Sequence, residues 1–261
     1  MQAFNYAKPS SLADAARTAG AADAKLLAGG QSLLAAMKLG LAAPAALVDL
    51  GGLADLKGIS VSGGTVKIGA MTTHAAVAAS KEVAQAIPAL AALAGGIGDR
   101  QVRNVGTIGG SVANNDPGAD YPAAALALGA TIHTDKRTIA ADDFFKGLFQ
   151  TALNDGEVIT AVSFPVPEKA GWQKFKQPAS RFALVGVFVA KGKGGARVAV
   201  TGAGSSGVFR AKALEDKLSA NWSGSACDGV KIDAKSLNGD LHGSAEYRAA
   251  LIPVLAKRAV G

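Results

Sequence analysis

The sequence predicts an α+β protein, and three features of its pattern indicate this class. Near the start, "AKLLAG", "LLAAMKLGLA" and "ALVDL" predict strand, helix and strand in succession, the order of a right-handed parallel crossover. From about residue 58, "ISVSGGTVKIGAMTT" alternates polar and apolar residues around a Gly-Gly turn, which predicts a β-hairpin. Toward the end, two apolar strands, "FALVGVFVAKG" and "ARVAVTGAG", precede the amphipathic helices "FRAKALEDKLSA" and "AEYRAALIPVLAKRAV".

The remaining elements fill in this organisation. "SSLADAARTAGAA" predicts a helix capped by its serines, and 74–94 predicts an alanine-rich helix that is interrupted before Pro88. "GATIHTDKRTIAADDFF" predicts a second hairpin, and "EVITAVSFPVP" predicts a strand that ends in prolines. The segment 165–172, "PVPEKAGW", is typical of a linker. We therefore expect one domain over 1–166, with subdomains of about 1–57 and 58–166, and a smaller α+β domain over 172–261.

Composition excludes several classes of protein. With 49% hydrophobic and 18% charged residues, the chain suits a globular protein with a substantial core. Cys227 is the one cysteine, so an internal disulfide, a cysteine-type zinc site and an iron–sulfur cluster are all excluded. No apolar run is long enough to span a membrane, and the first residues lack the pattern of a secretory signal. We expect a cytoplasmic protein.

The charge of the chain does not favour nucleic acid as a partner. The net charge is +7, but the basic residues are scattered along the sequence. Aromatic residues make up only 5% of the chain, too few for an obvious base-stacking surface. An acidic protein partner or a phosphate-rich cofactor explains the charge equally well.

Two glycine-rich stretches carry the clearest signs of a binding site. The first, "LLAGGQSLL", places Gly29 and Gly30 between a predicted strand and a predicted helix. The second, "VGTIGGSVANNDPGAD", ends in Asp120 before another predicted helix. Glycine allows a close backbone approach, successive N–H groups form anion-binding concavities, and Asp120 offers an acceptor for sugar or polyol hydroxyls. Spacing alone leaves a plain turn and a nucleotide site both open.

Other motifs are weaker. The P-loop pattern is absent, and the one GxGxxG, from Gly202 to Gly207, follows an apparent antiparallel strand, which favours a turn over a dinucleotide site. The three histidines, His74, His133 and His242, have no metal-ligand spacing, so we expect structural or surface roles for them.

The two glycine stretches together resemble the FAD-binding subunit of molybdenum hydroxylases. This family includes the medium subunit of aerobic carbon monoxide dehydrogenase and the flavin domain of xanthine dehydrogenase. "AFNYAKPSSLADA" near the start and "KFKQPASRFALVGVFVA" later fit the same pattern in order, so the resemblance runs nearly end to end. It implies a vanillyl-alcohol-oxidase/PCMH-type FAD-binding fold.

The resemblance also implies a role for each stretch. The first loop and the second would bind the FAD pyrophosphate, Asp120 would bind a hydroxyl-bearing part of FAD, and Ile97 would lie against the flavin ring. Ile159 and Lys176 match two further flavin-contacting positions. The motif often has histidine at position 31, where this chain has glutamine. The implied cofactor-binding residues are Leu26, Leu27, Ala28, Gly29, Gly30, Gln31, Ser32, Leu33, Ile97, Thr107, Ile108, Gly109, Gly110, Ser111, Asp120, Ile159 and Lys176.

The function that the resemblance implies is electron transfer within a larger complex. Members of the family take electrons from [2Fe–2S] clusters on a small subunit, which receives them from a molybdenum centre on a large subunit. FAD, held non-covalently, passes them to a final acceptor. The single cysteine means that this chain supplies the flavin part only, so the molybdenum cofactor and the clusters belong to partner subunits. A dimer of three-chain units is expected.

Two other readings remain open at this point. A self-sufficient FAD-dependent oxidase is one, although the C-terminal region is short for a substrate-binding domain and no acid–base pair is evident. An assembly module without FAD is the other, although both glycine loops are intact. Neither the substrate of the complex nor the acceptor (quinone, NAD or oxygen) can be read from the sequence.

Overall fold

The computed structural model describes residues 2–261, and its strands form four sheets. The strands are β1 Asn5–Ala7, β2 Ala24–Leu27, β3 Ala46–Asp49, β4 Ile59–Ser62, β5 Thr65–Gly69, β6 Thr131–Thr134, β7 Thr138–Ala140, β8 Phe145–Gly147, β9 Gln150–Thr151, β10 Ile159–Pro165, β11 Lys169–Lys176, β12 Ala183–Gly192, β13 Gly195–Thr201 and β14 Phe209–Arg210. The α-helices are α1 Leu12–Ala19, α2 Leu33–Lys38, α3 His74–Ala79, α4 Lys81–Ala86, α5 Pro88–Gly95, α6 Arg100–Val105, α7 Ile108–Asn114, α8 Tyr121–Leu128, α9 Ala141–Phe144, α10 Lys212–Ala220 and α11 Ala245–Val260.

The N-terminal sheet is parallel, in the order β1-β3-β2, which confirms the predicted crossover from β2 through α2 to β3. Helix α1 connects the two outer strands. Its cap is the predicted one, because the hydroxyl of Ser11 accepts a hydrogen bond from the backbone N–H of Asp14. All three strands run the same way, so the loop after β2 opens at the carboxyl edge of this sheet.

The second sheet is antiparallel, in the order β4-β5-β10-β6-β7. Both predicted hairpins are confirmed, β4–β5 around the Gly63–Gly64 turn and β6–β7 around residues 135–137. The predicted strand β10 lies between the two hairpins and pairs with one strand of each. Two long-separated parts of the chain therefore meet in one sheet.

The alanine-rich segment forms three short helices where one interrupted helix was predicted. Ser80 ends α3 in an extended conformation and caps α4 through a hydrogen bond from the N–H of Val83 to its hydroxyl. Pro88 then occupies the first turn of α5, where its missing N–H costs nothing, and Ile87 before it is non-helical. The break before Pro88 is confirmed, and the break at Ser80 is an additional one that comes from a capping serine.

The C-terminal sheet, β11-β12-β13-β14, is antiparallel, and the predicted pairing of its two apolar strands is confirmed. Residues 169–172 lie in β11 and are not part of a linker, so only 166–168 separate β10 from β11. The GxGxxG stretch is a turn after β13, as predicted, and the N–H of Gly202 donates to the carbonyl of Pro117.

Strand β12 is buried on both faces, which explains its continuous apolar sequence. Phe188 and Ala190 pack into the core that also contains Tyr121 and the centre of the second sheet. Val187 and Val189 point the other way, into a core formed with α10 and α11. The C-terminal sheet therefore shares its hydrophobic core with the N-terminal region, and residues from both can line the same cavity.

Candidate functional site

One large cavity, of about 880 Å³, lies where the two glycine-rich stretches meet. The N-terminal parallel sheet supplies one wall and the antiparallel sheet with α7 supplies the other. Residues 174 and 180–182, from β11 and the loop after it, line one part of the cavity. The volume is within the range of pockets that bury a cofactor or another large small molecule.

Most of the residues predicted to bind the cofactor line this cavity. These are Leu26, Ala28, Gly29, Gly30, Gln31, Ser32, Leu33, Ile97, Thr107, Gly109, Gly110, Ser111, Asp120 and Ile159. Three predicted residues do not line it, namely Leu27, Ile108 and Lys176. Ile108 is fully buried in the main core, because it begins α7 on the side away from the cavity.

The first glycine loop offers free backbone donors. Gly30 has φ +69°, a conformation that other residues rarely adopt, and it turns the chain from β2 into α2. Among the described residues, the backbone N–H groups from Ala28 to Leu33 have no partner, and the hydroxyl of Ser32 caps no helix. Consecutive free N–H groups on a cavity wall form an anion-binding surface.

In the second loop, glycines allow a ligand to approach the backbone closely, but three of the backbone N–H groups already have hydrogen-bond partners. The N–H of Ile108 donates to the carbonyl of Thr72, and the N–H of Gly109 donates to that of Ala70. The N–H of Gly110 donates to the hydroxyl of Thr107, which caps α7. The expectation of free N–H groups is therefore correct for the first loop and wrong for these three residues of the second.

The two loops are in contact with each other. A Cβ on Gly29 would overlap the carbonyl oxygen of Val105 and lie 2.7 Å from the Cα of Gly106. On Gly110, a Cβ would lie 3.0 Å from Thr107 Oγ1 and 3.3 Å from the Cβ of Ala28. Side chains at these positions would occupy the space between the loops, so glycine is required there for packing as well as for access.

Asp120 precedes α8 and forms a buried ion pair with Lys174 of β11. Lys174 Nζ lies 2.6 Å from Asp120 Oδ2, and the two side chains are 8% and 3% exposed. Burial raises the pKa of Asp120 to about 6, although the ammonium of Lys174 opposes the rise. Oδ1 of Asp120 is buried and has no partner among the described residues. An unpaired acceptor at a cavity wall is suited to a hydroxyl or N–H group of a ligand.

Ile97 lies in a short loop between α5 and α6 that arginines hold at the cavity. Arg103 Nη1 donates to the carbonyls of Ile97 and Gly98, at 2.9 and 3.0 Å. Arg181, from the loop after β11, donates to the same Gly98 carbonyl at 3.2 Å. The loop therefore presents a half-buried apolar side chain to the cavity in a fixed position.

Ile159 lies at another part of the cavity, beside the segment that joins β9 to β10. It is 5% exposed and lines the cavity together with residues 153–158 and 19–25. Gly156, at φ +70°, packs so closely on Gly20 at the end of α1 that a Cβ would lie 2.8 Å from its Cα. This contact brings the N-terminal subdomain against the second sheet.

Lys176, which the resemblance places at the flavin, is exposed and does not line the cavity. The pairing of β11 with β12 shifts register between Phe175 and Lys176, so the strand is irregular at this point. The lysine of this strand that reaches the cavity is Lys174. Residues two apart share a face in a regular strand, so the sequence alone does not distinguish Lys174 from Lys176. The register shift after Phe175 is what separates them.

The structure also brings in residues that sequence analysis did not select. His74 lines the cavity, 5% exposed, with its ring 5.4 Å from that of Tyr121. Burial and the charge of Arg103 lower the pKa of His74 to about 4, so it is neutral at pH 7. Phe149 lines the cavity with φ +55°, at the tip of the β8–β9 hairpin. A non-glycine residue at positive φ leaves no reliable sequence signal.

Within residues 2–261, no group of His, Cys, Asp and Glu side chains is arranged to hold a metal ion. In the same residues, no helix has the length and apolarity to cross a membrane.

The site combines a deep cavity with free backbone donors, a buried carboxylate and an apolar loop. This arrangement fits a dinucleotide cofactor with a pyrophosphate, a polyol chain and a flat ring.

Comparisons with known proteins agree with this geometry. Residues 2–167 match the family model described as the FAD binding domain in molybdopterin dehydrogenase. The nicotine 6-hydroxylase medium subunit of Paenarthrobacter nicotinovorans is 35% identical, covering 100% of this chain and 97% of that protein. The carbon monoxide dehydrogenase medium chain of Afipia carboxidovorans is 35% identical, over 98% of this chain and 95% of its own length.

Solved structures have the same fold. Reconstituted carbon monoxide dehydrogenase from Oligotropha carboxidovorans superposes with a TM-score of 0.91 at 35% identity, over 99% of this chain and 96% of the other. The fold, the cofactor FAD and the oxidoreductase class that the sequence predicts are thereby confirmed. This chain belongs to the family of FAD-binding medium subunits of molybdenum hydroxylases.

Proposed function

We propose that this chain is the electron-transfer subunit of a molybdenum hydroxylase complex. It would take electrons from [2Fe–2S] clusters of a partner subunit and pass them, via FAD, to a final acceptor. The observation that carries the proposal is the meeting, at one cavity, of two glycine loops and a buried carboxylate whose Oδ1 has no partner among the described residues. Bound FAD supplies the ability to exchange electrons singly or in pairs, and the protein supplies binding, orientation and electrostatics.

Each wall of the cavity has a role in this proposal. The free N–H groups of Ala28–Leu33 and the hydroxyl of Ser32 would bind the pyrophosphate. Thr107 and the glycines after it would allow the second loop to approach closely. Asp120 would accept a hydrogen bond from a hydroxyl or N–H of FAD, and Ile97 would pack against the flavin ring. Ile159 and Leu26 would line the apolar part of the cofactor site.

The partners follow from what this chain lacks and from how its relatives are described. A single cysteine cannot ligate an iron–sulfur cluster, so the clusters would lie on another chain. The relatives are named as a medium subunit and a medium chain. We therefore propose a molybdenum-containing large subunit and a [2Fe–2S] small subunit as partners, in a dimer of heterotrimers. The absence of any internal disulfide supports a cytoplasmic location.

Purification of the native complex tests the proposal. The chain is tagged in its native host and isolated gently, and the chains that accompany it are identified by mass spectrometry. Molybdenum and iron are measured in the same sample, and flavin is measured from its absorbance spectrum. We expect two further chains, one rich in cysteine, with molybdenum, iron and FAD. A lone chain that turns over an organic substrate would instead support a self-sufficient oxidase, and a lone chain without flavin would support an assembly module.

A further inference from the structure

Lys174 has contacts that exposed lysines of the same strand do not have. Its Nζ lies 2.6 Å from Oδ2 of Asp120 and 3.4 Å from the carbonyl oxygen of Gly96. Gly96 directly precedes Ile97, and Asp120 directly precedes α8. Lys174 therefore connects strand β11 to two separate segments that line the cavity. It also lies outside residues 2–167, the part of the chain that the family model matches.

The state of Asp120 depends on this contact. The carboxyl group is buried, and an isolated buried carboxylate takes up a proton unless an opposite charge or hydrogen bonds stabilise the ionised form. Lys174 is the one cation paired with it in the described residues. A protonated Asp120 would be free to rotate and to donate through either oxygen, so it would no longer be a fixed acceptor.

In the part of the chain that the structure describes, no other group near Asp120 stabilises its ionised form. Tyr121, the next residue, has a buried hydroxyl without a partner within residues 2–261, and burial together with the charge of Asp120 raises the pKa of that phenol. The ring of His74, in α3, lies 5.4 Å from that of Tyr121 at a tilt of 42°. His74 is neutral at pH 7, because burial and the charge of Arg103 lower its pKa. Asp116, earlier in the same loop, lines the cavity, and burial raises its pKa. None of these three groups carries a positive charge at pH 7, so the ion pair with Lys174 is what stabilises the ionised form of Asp120.

We propose that Lys174 is a positioning residue of the flavin site, which holds Oδ2 of Asp120 and keeps the carboxylate ionised so that Oδ1 accepts a hydrogen bond from the bound cofactor. The proposal rests on the flavin function argued above. It assigns to the C-terminal region a direct part in cofactor binding. In this role Lys174 acts through Asp120.

The test measures FAD affinity of the apoprotein by quenching of flavin fluorescence, from pH 6 to pH 8.5. In Lys174→Met, Asp120 loses its counter-ion and its pKa rises further. From a pKa of about 6, a rise of one unit lowers the ionised fraction at pH 6.5 about threefold. We therefore expect affinity to fall about threefold at pH 6.5 and the loss to shrink as pH rises toward 8.5. Lys174→Arg keeps a charge at this position and should preserve the wild-type pH profile. Lys169→Met, on an exposed lysine of the same strand, is the matched control.

The Asp120→Asn variant, used as a second background, distinguishes a positioning role of Lys174 from simple damage to the fold. Asp120→Asn should bind FAD weakly, with little pH dependence, and adding Lys174→Met to it should cause no further loss. The double variant also avoids an unpaired buried charge, so it remains folded even where the single variant is destabilised. An equal loss at every pH, or the same loss in the Asp120→Asn background, would overturn the role of Lys174. Wild-type protein that binds no FAD would overturn the flavin function itself.

Discussion

Gly29 and Gly106 belong to different glycine loops, yet their backbones are in contact. A Cβ on Gly29 would lie 2.7 Å from the Cα of Gly106 and would overlap the carbonyl oxygen of Val105. The N–H of Gly106 donates to the carbonyl of Val102, and its own carbonyl accepts from the N–H of His74. The second loop is therefore fixed, and any side chain on Gly29 must displace the first loop, which carries the free backbone donors.

Gly29→Ala should weaken FAD binding by moving this first loop. Because the obstructing atoms are backbone, we expect a loss of about 1–3 kcal/mol in unfolding free energy as well. Chemical denaturation and a FAD titration measure the two effects. Gly194→Ala, at a turn with open space around it, is the matched control. Unchanged FAD affinity in the folded Gly29 variant would contradict the assignment of the first loop.

Gly110→Val tests the second loop. A Cβ at this position meets Thr107 Oγ1 at 3.0 Å and Ala28 at 3.3 Å, so the methyl groups of valine would extend into the space between the loops. We expect FAD binding to be lost while circular dichroism still reports a folded chain. Tight FAD binding by the variant would show that the cofactor does not pass between these loops.

Lys176→Met tests whether Lys176 contacts the flavin, as the resemblance implies, or lies outside the cofactor site, as its position in the structure indicates. The resemblance places this lysine at the flavin, but the side chain is exposed and does not line the cavity. We therefore expect FAD affinity and the flavin reduction potential to change little, in contrast to the effect of Lys174→Met. A large loss of affinity on removing Lys176 would mean that the loop after β11 folds over the cofactor when FAD binds.

His74 should make the apoprotein sensitive to mild acid. Its pKa is about 4 in the folded state and about 6.5 in an unfolded chain, so protons bind preferentially to the unfolded chain. The contribution of neutral His74 to the free energy of unfolding is fully present above pH 6.5. It is lost as pH falls toward 4, by about 3 kcal/mol in all.

The measurement is the unfolding free energy of wild type and of His74→Leu between pH 7.5 and pH 4. The difference between the two proteins should shift in favour of the variant as pH falls. Asp120 has a raised pKa and titrates in the same range with the opposite sign, but it is present in both proteins, so its contribution largely cancels. A difference that stays constant with pH would contradict a neutral, buried His74.

FAD should be released intact when the protein is denatured. The residues lining the cavity include no cysteine, and Cys227 is buried in the C-terminal core. Position 31 is glutamine, which cannot form a histidyl link. Acid precipitation of FAD-loaded protein should leave the flavin in the supernatant, as read by absorbance. Flavin that remains with the precipitate would point to His74, the one histidine at the cavity.

The sequence by itself determined the elements, the two glycine loops and the family. Periodicity predicts the strands of the β4–β5 and β12–β13 pairs. Proline and serine end the short helices, because these are local effects of the backbone. Ser80, which ends α3 and caps α4, is a local signal that the sequence analysis did not use. Of the residues that the resemblance implies for the cofactor site, Asp120 and most of the others line the cavity.

Only the tertiary structure decided which polar groups are free and which lysine faces inward. The N–H groups of Ile108 and Gly109 are satisfied by the carbonyls of Thr72 and Ala70, respectively, which are far away in sequence. Lys174 reaches Asp120 because β11 packs beside α5 and pairs with β12, which packs against α8. An irregularity after Phe175 leaves Lys176 outside. Hydrogen-bond satisfaction and burial depend on contacts between distant segments, so no local pattern along the chain can specify them.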